Sequence, residues 1–441
     1  MCRGPGSGWT RTVRPPQQYT SALKRLQIRE FGYADRKLGD CEGNLCHWGW
    51  VARHMIRVIY GSRTRIAAHI SPASGTILSS LSVARQPTDP HSLSSSMVVK
   101  AQAMQIYPDF LDSTGLLGDG PGLRGRLDRD RYLFIRQLLP AQIVISVRER
   151  LLAKAAASGW LDPDSAADAG IANPAAACKD PEDRYMRVFR GFWRDEELHR
   201  LRIHAVVIDL FTRIFGEPAL AHPMFVQRNI FPTGSFDFTT GAHQDRVHIG
   251  GATSYALWMP LGDCPREKGA LALAAGSHTK GILDTKVGSG AGGMDIAVPI
   301  PGTWVTGAFG AGDALIFQDV TVHKALPNRT REIRMSFDAR FQPASQPIAD
   351  TNMVPYSGCG TWEDVYAGWE RTDGQYFWKD LTLNVVPLDR SHYERRDALA
   401  FEMAEHGDRE ARDAILRILQ RDGSAEKRAR AEKLLERLDA A

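Results

Sequence analysis

His243 and Asp245 stand two residues apart in "TGAHQDRVHIGG", and His323 follows eighty residues after His243 in "GDALIFQDVTVHKALPN". On extended backbone, residues two apart leave the same face of a strand, so both side chains of the first pair could grip one ion while Gln244 points away. A third ligand must then come from another strand, and His323 supplies it. Two imidazoles and one carboxylate leave three positions open on an octahedral ion, the arrangement by which iron(II) oxygenases bind a co-substrate and dioxygen together. An isolated HxD is weak evidence, because the same residues could be a loop hydrogen-bonding pair and a satisfied core histidine.

The basic residue eleven positions after His323 shifts that balance. In "RMSFDARF", alternation puts Arg334, Ser336, Asp338 and Arg340 on one face and Met335, Phe337, Ala339 and Phe341 on the other. An arginine pointing into a barrel needs an anionic partner, since a buried unpaired guanidinium is very costly. The distal carboxylate of 2-oxoglutarate would serve, held bidentately. Arg331 and Arg340 compete with Arg334 for this role.

The elements that must position these residues read as strands from Ala221 onward. "MFVQRNIF", "SYALWMPL", "ALALAAGSH", "TWVTGAF", "DALIFQ" and "RMSFDARF" are short runs bounded by Gly, Pro, Asp and Asn, the pattern of an antiparallel sandwich or barrel. Residues 221–345 are expected to form one core. Ahead of it, a strand at 132–135 precedes a helix starting after Pro140, with Ile143, Val147, Leu151 and Leu152 at helical spacing. A second helix is expected across "DEELHRLRIHAVVIDLFTRIFGEP", stopped by Gly216 and Pro218. His199 and His204 on it read as ordinary core or surface histidines. His248, at an odd offset from His243, is expected to face away from the ion.

From about residue 128 to 345 the chain resembles the phytanoyl-CoA dioxygenase family of 2-oxoglutarate oxygenases. The resemblance rests on "HQD" at 243–245, Trp258 in "ALWMPL", "GALALAAGSH" at 269–278, "GDALIF" at 312–317 and "HKALPNRTREIRMS" at 323–336, in that order. It implies a mainly β fold with flanking helices around a double-stranded β-helix, the jelly-roll or cupin-like core. It implies His243, Asp245 and His323 as Fe(2+) ligands and Arg334 as anchor of 2-oxoglutarate. Gln227 resembles a polar residue that helps hold the co-substrate in relatives. Ala325 departs from relatives that have serine there, and Ser336 is the candidate to compensate. The implied activity is that of a dioxygenase hydroxylating a small molecule with release of succinate and CO2. Asp245 argues against a halogenase, because halogenating relatives have a small residue at that position. Two rivals stand beside this reading: a cupin-like isomerase or hydrolase that ignores 2-oxoglutarate, and a non-catalytic jelly-roll binding module.

Length and composition agree with such an enzyme. The 441 residues are 43% hydrophobic and 24% charged, ordinary for a globular protein. No stretch approaches the roughly 20 apolar residues of a membrane-spanning helix, and no apolar secretory signal opens the chain. The six cysteines are too scattered for a disulfide scaffold or a zinc ribbon, and Cys41, Cys46 and His47 make only a weak metal motif. A cytoplasmic enzyme is the default expectation, with no membrane or nucleic-acid partner. Residues 1–103 hold 14 Lys and Arg against five acidic residues and read as a basic, unstructured extension. The oxygenase domain is expected over 104–400 and a helical tail over 401–441, which could pack on its own domain or make a homodimer contact. "VGSGAGGMD" reads as a flexible loop over the site, since no strand and helix flank it as a phosphate cradle requires. The aromatic residues of 362–378 read as core closure ahead of a substrate wall.

Overall fold

The computed structural model describes residues 107–288 and 290–440, together with two strands nearer the N-terminus. The chain divides into two units, Met1–Gln105 and Ile106–Ala441. In the first unit, β1 (Ala67–Ile70) pairs antiparallel with β2 (Ile77–Ser80). This departs from the expectation of a structureless extension. Ile70 pairs with Ile77 across this ladder. The remainder of the expected extension lies outside the described residues.

The second unit begins with a helical layer. Asp119 caps α1 (Gly120–Asp130) by accepting from Gly122 N, and β3 (Tyr132–Ile135) follows. Pro140 precedes α2 (Ala141–Ala157), whose Val144, Val147, Leu151 and Leu152 are buried. Next come α3 (Asp183–Trp193), α4 (Glu196–Arg200) and α5 (Ala205–Phe215). The single helix expected over the last two is broken: His204 is extended, with ψ 133°, and its Nδ1 accepts from Val206 N to start α5. Local capping by a side chain offers the backbone a better partner than helix continuation.

The strands are β4 (Ala219–Ile230), β5 (Tyr255–Pro260), β6 (Leu271–Ala275), β7 (Thr285–Val287), β8 (Met294–Ile296), β9 (Thr303–Val305), β10 (Ala314–Gln318), β11 (His323–Ala325) and β12 (Arg334–Pro343). A one-turn helix, α6 (Arg246–Ile249), lies between β4 and β5. A five-stranded antiparallel sheet in the order β3-β10-β5-β12-β4 faces a three-stranded sheet β11-β6-β9, a jelly roll.

Register shows where the site must lie, because residues directly opposite one another share a face. Leu133, Ile316, Leu257, Phe337 and Phe225 belong to one apolar cluster with helical residues such as Leu151, Phe189 and Trp193. The other face meets the small sheet: Phe134, Leu315, Trp258 and Phe317 pack with Leu271, Leu273 and Val305. On β12 that inward face turns polar, since Asp338 pairs across to Trp258 and Arg340 to Ala256. A bulge sits beside Arg340, where residues 222–224 of β4 oppose it alone, and Pro223, with no N–H to give a ladder, lies within it.

Beyond the barrel, α7 (Trp362–Tyr366) opens with a Thr361–Asp364 capping box. Trp362, Tyr366 and Trp378 are buried in the main cluster, so the aromatic segment closes the core. Three C-terminal helices, α8 (Ser391–Glu405), α9 (Arg412–Arg421) and α10 (Ala425–Ala440), share a cluster of Phe401, Ile415, Ile418, Leu434 and Leu438 with Val287 of β7. They therefore pack on this chain's own barrel. No helix among the described residues is long and apolar enough to cross a membrane.

Candidate metal centre and co-substrate site

His243 and His323 are joined by two backbone hydrogen bonds, each amide donating to the other's carbonyl at 3.0 Å. Their rings lie 4.1 Å apart. Asp245 does not continue a strand as expected: with φ −73° and ψ −24° it turns the chain into α6. Its Oδ1 still lies 3.6 Å from His243 Nε2 and 3.8 Å from His323 Nε2. All three ligand atoms fall within 4.8 Å of one another. The helical turn also overturns the expectation for His248, which lines the same cavity as Asp245 and has Nδ1 2.7 Å from Tyr393 Oη. Period-2 reasoning fails once the backbone leaves the extended region.

The ring nitrogens are sorted by their carbonyl partners. His243 Nδ1 donates to Gly241 O at 2.8 Å and His323 Nδ1 to Thr321 O at 3.1 Å, leaving both Nε2 lone pairs toward Asp245. Burial, reinforced by the neighbouring His243, pushes His323 down to about 3, so it is neutral at physiological pH. Burial opposes ionisation of Asp245, but the Arg340 guanidinium together with His323 and His243 outweighs it and holds the carboxyl well below its usual range. Gln244 points away as expected, donating to Gly281 O and Val320 O and accepting from Leu283 N. Arg246 pairs with buried Asp319 at 2.9 Å. Both contacts pin the HxD segment to its neighbours.

The three competing arginines separate cleanly. Arg331 is exposed. Arg340 bridges two carboxylates, with Nη2 2.7 Å from Asp245 Oδ2 and Nη1 on Asp338. Arg334 is buried yet meets no carboxylate: Nη1 reaches Ser336 Oγ at 3.4 Å, while Nε and Nη2 have no partner among the described residues. Its Cζ lies 5.6 Å from the Trp258 ring, and burial pushes its pKa down to about 10. A dry guanidinium with two unused donors fits a missing anion.

Ser336 therefore lies beside Arg334, but Gln227 does not join the group. It is directly opposite Phe337, on the face packed against the helices, and exchanges amide hydrogen bonds with Asn229. The motif position placed it on the right strand, but strand phase turns it away.

A cavity of about 420 Å³ opens in front of Asp245 and Arg340. One wall is β4, through Met224, Val226 and Arg228; another is α8 and α9, through Tyr393, Arg417 and Arg421. These helical residues carry no motif and were not found from the sequence. The glycine-rich segment completes the wall. Rather than hanging free as the lid reading had it, the segment is tied down: Arg396 donates to Gly292 O at 2.5 Å, and a side chain at Gly293 would come within 3.0 Å of Ala414 Cα.

The model of the phytanoyl-CoA dioxygenase family matches residues 127–336. The 1-deoxypentalenic acid 11-beta-hydroxylase of Streptomyces arenae is 27% identical over 270 residues, 57% of this chain and 90% of that protein. The enzyme of the same name from Streptomyces exfoliatus is 28% identical over 264 residues, 56% and 90% of the two chains. A solved structure of the epimerase SnoN with Fe3+, alpha ketoglutarate and nogalamycin RO shares 22% identity over 52% of this chain and 86% of that one, at a TM-score of 0.39.

Proposed function

On the match of residues 127–336 to the model of the phytanoyl-CoA dioxygenase family, we propose that His243, Asp245 and His323 hold the iron(II) of a 2-oxoglutarate-dependent dioxygenase and that Arg334 receives the distal carboxylate of the co-substrate. The reaction class is hydroxylation of a small molecule, as in the relatives named 11-beta-hydroxylases. When bound, iron, 2-oxoglutarate and dioxygen supply the oxidising power, with succinate and CO2 released. The chain's own residues supply the geometry. Gly241 O and Thr321 O hold both imidazoles in the tautomer that presents Nε2. Arg340 occupies Asp245 Oδ2 and leaves Oδ1 toward the imidazoles. Ser336 Oγ steadies Arg334, and the apolar barrel floor around Trp258 keeps water from the co-substrate end.

The single observation that carries this reading is the buried guanidinium of Arg334 with two unused nitrogens. In a hydrolase or isomerase using the same triad, Arg334 would bind the substrate instead. The test is metal content together with 2-oxoglutarate affinity of the purified protein. Iron binding with co-substrate binding lost in Arg334→Gln supports the proposal. Metal without 2-oxoglutarate affinity would point to a cupin-like metalloenzyme, and neither would leave a binding module.

A further inference from the structure

The cavity in front of Asp245 holds a positive charge that the protein does not neutralise. Arg340 is matched by Asp245 and Asp338. Arg417 lies 2.7 Å from Asp413 and 3.4 Å from Asp180, and Arg421 lies 2.6 Å from Asp180. Lys179, which also lines the cavity, donates to the Asp237 carbonyl at 2.9 Å. Arg228 lines the same space, and its guanidinium has neither a hydrogen-bond nor an ion-pair partner among the described residues.

Its position is set by β4. Arg228 stands directly opposite Ser336, on the face shared with Asp338 and Arg340, and its charge acts on Asp180, Tyr185 and Asp338. Tyr185, buried and lining the cavity, accepts hydrogen bonds from both Asn229 N and Asn229 Nδ2 at 3.2 Å, which leaves its own O–H free to donate. Beside these two donors the cavity has an apolar stretch formed by Met224, Val226, Ile230 and Ile249. A cationic and a neutral donor beside an apolar stretch of a cavity of this volume fit a small ligand with one anionic group and an apolar body.

We propose that the substrate is an organic acid with an apolar body, and that Arg228, with the Tyr185 hydroxyl, receives its carboxylate. The proposal deepens the oxygenase reading and rests on it. A planar carboxylate matches the fork of the one guanidinium of this cavity that has no hydrogen-bond or ion-pair partner among the described residues. Holding the acid at Arg228 lets its apolar part reach toward Asp245, where the iron site is proposed.

The experiment uses naphthalene-2-carboxylate as a fluorescent probe, with 2-naphthylmethanol as the uncharged control. The full chain is loaded with Mn(2+) in place of iron and saturated with 2-oxoglutarate, which occupies the Arg334 end. The acid is expected to bind saturably and the alcohol at least about tenfold more weakly. Arg228→Gln should lower acid affinity by about 10- to 100-fold with Mn(2+) and 2-oxoglutarate affinity unchanged, while Arg228→Lys keeps part of it. Tyr185→Phe should weaken the acid by a smaller factor. No saturable binding of the acid to the wild type, equal binding of acid and alcohol, or indifference to Arg228→Gln overturns the proposal. If instead Mn(2+) and 2-oxoglutarate fail to bind while Arg228-dependent binding of the acid persists, the oxygenase reading falls and the acid subsite stands.

Discussion

Arg340 and Asp245 lie 2.7 Å apart, Nη2 to Oδ2, although 95 residues separate them in the chain. The contact divides the work between two arginines of one strand face: Arg340 serves the proposed iron ligand, and Arg334 is left for an anion. Arg340→Gln should therefore weaken iron binding by about 10- to 100-fold, the usual effect of removing a group that orients a ligand. Affinity for 2-oxoglutarate in metal-saturated protein should change little. Iron titrations of the variant check this, and unaltered metal affinity combined with lost co-substrate binding would move the anchor from Arg334 to Arg340.

Arg334→Gln should act in the opposite sense. Losing one partner of a buried charge pair costs on the order of 3 to 5 kcal/mol, which corresponds to a rise of more than about 100-fold in the co-substrate Michaelis constant. Iron affinity should hardly move. Because the guanidinium lacks an anion in the free protein, Arg334→Met should also raise the melting temperature of the protein without 2-oxoglutarate. A melting temperature below wild type in that variant would mean that Arg334 is already satisfied.

His243→Ala or His323→Ala should abolish iron binding and turnover while the fold persists, since jelly-roll stability comes mainly from the apolar clusters between the sheets and under the helices. Circular dichroism and metal analysis on the same samples decide it. Full iron occupancy in either variant sinks the ligand assignment.

Asp180 ties α9 to the body of the domain through Arg421 and Arg417. Burial alone would raise its pKa, but Arg421, Arg417 and Arg228 outweigh it and lower it. A carboxyl depressed in the folded state contributes stability above its unfolded pKa of about 3.9, and that contribution is lost as pH falls through the folded value. Asp180→Asn should lose several kcal/mol at neutral pH, as breaking a buried pair does, and should flatten the acid limb of the stability curve. Urea titrations between pH 3 and 7 read both effects (about this range brackets the unfolded pKa).

Much of the fold was legible because its signals are local. Short apolar runs bounded by turn residues marked the strands from Tyr132–Ile135 to Arg334–Pro343, and a period of two put Arg334, Ser336, Asp338 and Arg340 on one face, as the register has it. The spacing of His243, Asp245 and His323 was enough to nominate one cluster, and the three do converge, though through a helical turn at Asp245 that an assumption of extended backbone could not supply.

What the tertiary structure decided were partnerships between residues far apart in sequence. Three arginines near the end of the barrel look alike in the chain. Only folding exposes Arg331, gives Arg340 to Asp245 and Asp338, and leaves Arg334 dry and unpaired. Gln227 and Arg228 are neighbours with opposite fates, one turned to the helices and one to the cavity, because strand phase depends on which partner lies across the ladder. The helices carrying Tyr393, Arg417 and Arg421 show only an amphipathic pattern, which says that one face is buried but not against what. Period and composition are properties of a segment; the charge balance of a cavity depends on every segment that lines it, and it exists only once the chain has closed.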